Sequence, residues 1–113
     1  MSVRSFFIEI SPLQQAVINV NGAGDTVILA GVAGKQIKVY RLKLIVAAAT
    51  AILFKDGATV IDGPLSFSAN EGMVLDFTGN DMPPWYTTST GNSLVINSSN
   101  AVQVGGNFDY LVS

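Results

Sequence analysis

The feature that most constrains this chain is a period-two alternation of apolar and polar residues, cut at short intervals by glycine, asparagine and aspartate. A strand turns successive side chains to opposite faces, so apolar residues at every second position mark one buried face. Such sets are Ala16, Ile18 and Val20; Ile52 and Phe54; Leu65 and Phe67; Met73, Leu75 and Phe77; Leu94 and Ile96; Phe108, Tyr110 and Val112. Turn signals separate them: "NGAGD" at 21–25, "KDGA" at 55–58, "IDGP" at 61–64, "NEG" at 70–72, "TGND" at 78–81 and "STGN" at 89–92. About eight short strands predict an all-β chain: a single jelly-roll or β-sandwich domain whose two antiparallel sheets share one core. "SPLQQAVINV" is compatible with one helical turn opened by Pro12, and reads better as a strand. Residues 1–12, with Phe6 and Phe7 ahead of Pro12, are assigned to a short N-terminal arm able to clasp a partner, and 13–113 to the domain. A plain first strand is the other reading of that segment.

Only 12% of the residues are charged while 49% are hydrophobic, about half the usual charged share. A surface so poor in charge implies cover by another chain. Histidine and cysteine are both absent, which removes the commonest general base, thiolate nucleophiles and the usual transition-metal ligands. The eight acids are scattered, and Asp56 and Asp62 precede glycine in turn dipeptides. No run has the alternating carboxylates of a calcium loop. "GVAGK" and "GAG" lack the spacing of phosphate- and dinucleotide-binding loops. The expectation is a protein that is not an enzyme and holds no cofactor or metal. The longest apolar run, "LIVAAATAILF" at 44–54, falls short of a membrane span, and "MSVRSFFIEIS" does not read as a signal peptide. A soluble, unprocessed chain with no membrane partner is expected.

"VAGKQIKVYRLKLIV" concentrates Lys35, Lys38, Arg41 and Lys43, four of the six cations. Ile37 and Val39 share one parity, whereas Leu42, Leu44 and Val46 share the other. A one-residue β-bulge near Val39–Tyr40 restores a single apolar face. It also gathers Lys38, Arg41 and Lys43 on the opposite face. Nucleic-acid binding would ask for a basic balance and interleaved aromatics. The net charge is −2, and Tyr40 is the one aromatic in the stretch. The row therefore reads as the solvent face of a strand, or as a contact for an acidic protein partner.

From Met82 to Phe108, 27 residues carry no formal charge. Exposed edge strands usually carry charge against unwanted pairing, so these strands are either central in their sheets or covered by neighbouring subunits. Inside that span "MPPWY" sets Trp85 and Tyr86 after two stiffening prolines. The pair either plugs one end of the core or faces a partner, as a stacking platform for a sugar or an anchor for a protein.

From Gly31 to Ser113 the chain resembles the small structural proteins of tailed-bacteriophage virions. The residues that carry the resemblance are "VAGKQIKVYRLKLIVAAATAILFKDGATVIDGPLSFSANEGMVLDF", "PPWYTTSTGNSLVIN" and "AVQVGGNFDYLV". They supply an A-G-K-x-I-x-V strand, a run of Ala and Thr, G-P-L and G-x-V-L strands, a W-[FY]-x-T-x-x-G-x-x-L hairpin and a closing G-G-x-x-x-Y strand. The resemblance implies a jelly-roll module, commonly a homotrimer, on the virion surface. Such a capsid decoration or cement protein binds where subunits of the major capsid protein meet and holds the shell together. Similar domains occur in head fibres and tail adhesins, where Trp85 and Tyr86 would meet a host glycan or receptor. In a cement protein Lys38, Arg41 and Lys43 would face acidic capsid loops, and Ala47, Ala48, Ala49 and Ala51 would allow close subunit approach.

Overall fold

A computed structural model describes residues 13–77 and 83–113. The arm assigned to 1–12, with Phe6 and Phe7, and the turn expected at 78–81 lie outside the described residues. The strands are β1 (Gln14–Val20), β2 (Gly24–Leu29), β3 (Ile37–Val46), β4 (Thr50–Asp56), β5 (Thr59–Phe67), β6 (Gly72–Leu75), β7 (Tyr86–Thr87), β8 (Leu94–Ser98) and β9 (Val104–Val112). They form two antiparallel sheets, ordered β1-β9-β3-β6 with β7 also on β3, and β2-β8-β4-β5. Every connection except β4–β5 and β6–β7 moves from one sheet to the other, so a long antiparallel ribbon is rolled into two layers. This is the strand order of a jelly roll, and the all-β sandwich expected from the alternation is what the chain forms.

The inward parity of each strand fills the space between the layers. Ile18, Val39, Leu42 and Phe108 from one sheet meet Ile52, Phe54, Leu94 and Ile96 from the other, each at most 1% exposed. Each such side chain contributes roughly 1.5–3 kcal/mol by leaving water.

The bulge in β3 is where the parity change requires it. Val39 stands opposite Tyr110 and Arg41 opposite Asp109, leaving Tyr40 as the extra residue. Ile37 and Val39 before it, and Leu42, Leu44 and Val46 after it, then face the same core.

Three local expectations change. "IDGP" is not a turn: it lies within β5, where Asp62 pairs with Phe54 and Leu65 with Ile52, so Gly63 and Pro64 bulge opposite Leu53. Gly63 has φ +103°, and a Cβ there would crowd the Ile52 carbonyl, which only glycine avoids. The stretch from Trp85 to Leu94 is not a hairpin; β7 sits in one sheet and β8 in the other, so it crosses between layers. β2 was not marked by alternation because Val27 points outward, 57% exposed. In the uncharged span β8 lies between β2 and β4 and β9 between β1 and β3, so these two are central and need no edge charges. β7 pairs with β3 alone among the described residues, and its edge is only two residues long.

Candidate functional site

The outer face of the five-stranded sheet carries the residues singled out in β3, and register arranges them in rows. Gln15, Asp109 and Arg41 form one row; Val17, Asn107, Lys43 and Val74 the next; Asn19, Gly105, Ile45 and Gly72 a third. The three cations expected to act together have different surroundings.

Arg41 is already occupied. Its Nε–H donates to Asp109 Oδ2 at 2.9 Å, and one terminal nitrogen reaches Asp109 Oδ1 at 3.2 Å and Asn107 Oδ1 at 2.7 Å. Such a forked pair is stronger and more directional than a single contact. The Arg41 hydrogen bonds hold the Asp109 carboxyl below its ordinary 3.8, aided by an amide hydrogen from Gln15 and opposed by partial burial. Arg41 is thus a cross-strand clamp, which corrects its placement among surface cations open to a partner. Lys38 Nζ donates to the terminal Ser113 Oγ at 3.0 Å, an exposed contact to a neutral group. Lys43 meets no carboxylate at ion-pair distance among the described residues. It stands beside a shallow trench of about 400 Å³, floored by Gly72, Gly105 and Gly106 and flanked by Ile45 and Val74. Ile45 and Val74 are more than half exposed. Where glycines remove side chains from neighbouring strands, the sheet offers backbone and apolar walls to a docking surface.

Trp85 and Tyr86 part company, as adjacent residues in an extended segment must. Tyr86 turns inward: its ring stacks on Phe54 with centroids 4.8 Å apart, and its hydroxyl donates to Asp62 Oδ2 at 2.5 Å, joining the two sheets. Burial raises the phenol well above its usual pKa, and the bond to Asp62 adds to this. Tyr86 therefore plugs the core and is withdrawn from the residues able to contact a partner. Trp85 remains outside, about half exposed, with its indole N–H donating to the Asp76 carbonyl at 3.0 Å. Its backbone N–H bonds Val39 O, which sets it beside the Tyr40 bulge. Tyr40 in turn packs edge-on against Phe77, 6.4 Å between centroids. Tyr40 is turned outward by the bulge. Phe77, which the alternation places on a buried face with Met73 and Leu75, is instead 41% exposed because β6 ends at Leu75 before it.

A second polar cluster holds the loops at one end. Asp56 closes β4 and accepts from Ser89 N–H (3.0 Å), Ser89 Oγ–H (2.7 Å) and Asn92 Nδ2–H (2.9 Å). Burial alone would raise its pKa, but these three donors prevail and hold the carboxyl below 3.8. Asp56→Ala should cost about 3 kcal/mol, since it orphans donors to a buried charge, read from the urea midpoint. Asp56 and Asp109 both have lowered pKa values when folded. Their stabilisation is complete above the ordinary carboxylate range and is lost as pH falls through and below about 4. Urea midpoints should be flat from pH 5 to 8 and drop towards pH 2.5, less steeply in Asp56→Asn.

Among the described residues no group of three or more acids converges as a metal site, and no helix is long and apolar enough to cross a membrane. No family model matches the chain, and comparison with curated proteins and with solved structures finds no match.

Proposed function

We propose that this chain is a structural, non-enzymatic module of a bacteriophage head, a decoration or cement protein. In this reading it attaches to the outer surface of the shell where major capsid protein subunits meet. The observation that carries the proposal is the outer face of the five-stranded sheet, where Lys43 has no carboxylate partner among the described residues and stands beside an apolar, glycine-floored trench. Such a surface suits a broad protein partner with acidic loops, because apolar area gives affinity and the lysine gives register. Lys38, bonded among the described residues to a neutral hydroxyl, adds a second cation to that face. Three copies per assembly is the stoichiometry the resemblance implies.

Trp85 and Phe77, exposed beside a half-buried Tyr40, favour a second reading, a head-fibre or tail-adhesin module that stacks a host glycan on exposed aromatic rings. One experiment separates the two. The purified protein is weighed in solution by light scattering, then mixed with undecorated heads and sedimented. Cement function predicts an oligomer that pellets with heads at saturable stoichiometry. An oligomer that stays in the supernatant transfers the assignment to glycan binding, with Trp85→Ala as the next variant. A monomer that binds neither defeats both.

A further inference from the structure

The edges of the two sheets are not protected alike. β2 carries Asp25 and a break in register between Val27 and Leu29. β5 carries Asp62, Pro64 and two register breaks. The far side of β3 is divided between two-residue β7 and four-residue β6. Charge, proline, bulges and brevity are the devices by which sheets discourage edge-to-edge pairing. β1 has none of them. Its seven residues, QQAVINV, hold no charge and no proline, and follow β9 from Gln14 to Val20 in one unbroken register. Among the described residues nothing pairs with its other side. In an antiparallel ladder alternate residues of such a strand direct N–H and C=O groups outward. Val17, at its centre, is 73% exposed.

We propose that β1 pairs antiparallel with β1 of a second copy, about a two-fold axis through Val17, joining two five-stranded sheets into one. Such a contact is isologous, so each residue meets its image across the axis. Val17 then packs on Val17, Ala16 on Ile18 and Gln15 opposite Asn19. The amides are complementary. Gln15 uses Nε2–H on Asp109, and Asn19 uses Oδ1 to accept from Gln103. That leaves the Gln15 carbonyl oxygen and the Asn19 amide hydrogens to face each other across the axis. No charge in the strand repels its own image, which directly opposed like charges would do. This fit of the strand to itself selects a second copy over an unrelated strand. The contact is independent of what the assembly attaches to. It makes a dimer of single chains, or joins two trimers.

The test is mass by light scattering for the wild type and for V17K, V17E and V74K, with circular dichroism and melting temperature recorded for each. Val17 is exposed in the single chain, so both charged variants should keep the wild-type spectrum. V17K and V17E alone should each show half the wild-type mass, a mixture of the two should recover it, and V74K, on the same face but at β6, should keep it. A wild type that is monomeric or has an odd number of copies overturns the proposal. So does an unchanged mass in V17K, or a halved mass in V74K.

Discussion

Phe54→Ala should lower stability by about 4 kcal/mol, among the largest losses expected from a single truncation in the core. Phe54 is fully buried, and removing such a ring costs about 3–5 kcal/mol in transfer and cavity terms. Here the ring also carries the stack against Tyr86 that links the two layers, a contact of about 1 kcal/mol within that range. A domain of this size is stable by roughly 5–15 kcal/mol, so the variant should survive at low temperature and melt about 15–20 °C early. Tyr86→Phe is the companion variant. It keeps the stack but removes the hydroxyl bonded to Asp62, and should cost only about 1–2 kcal/mol. Urea unfolding of both settles the account. A loss below about 2 kcal/mol for Phe54→Ala would mean that the ring is not packed between the sheets.

The contrast between those two positions also marks what the sequence discloses. Phe54 follows Ile52 at strand spacing and is legible as core from that alone. The β3 bulge is legible too, because apolar parity changes between Val39 and Leu42 and one extra residue is the smallest repair. Trp85 and Tyr86 read in the sequence as one unit, and the structure divides them, since neighbours in an extended segment cannot share a face. The polar clusters are different in kind. Arg41 and Asp109 are 68 positions apart, and Asp56 reaches its donors across 33 and 36. No local period joins them; only the rolled topology does. "IDGP" misleads for a related reason. Asp-Gly and Gly-Pro are turn dipeptides, but a glycine is equally needed where a strand must bulge past a neighbouring carbonyl. β2 is hidden because its central valine faces outward at an edge, and an outward apolar residue erases the alternation.

The charge-reversed variant K38E/K43E should keep the wild-type melting temperature within a degree or two and bind undecorated heads about 100-fold more weakly. Neither lysine has an ionic partner among the described residues, so surface reversal there changes stability by no more than about 0.5 kcal/mol. Opposed to acidic loops, two cations turned into two anions replace attraction by like-charge repulsion, which costs several kcal/mol at an interface. Arg41 must be left out of this variant. From the sequence, reversing all three cations together is expected to be neutral to folding, because the row reads as solvent face. With Arg41 forked onto Asp109, a glutamate at 41 would set two carboxylates side by side and cost about 1–2 kcal/mol of fold stability. Attachment lost by R41E would then mix unfolding with lost contact. Sedimentation with heads at two salt concentrations gives the reading. The wild type should weaken as salt rises while K38E/K43E responds in the opposite direction. Unchanged attachment in K38E/K43E would remove this face from the contact and leave the aromatic ledge around Trp85 as the binding surface.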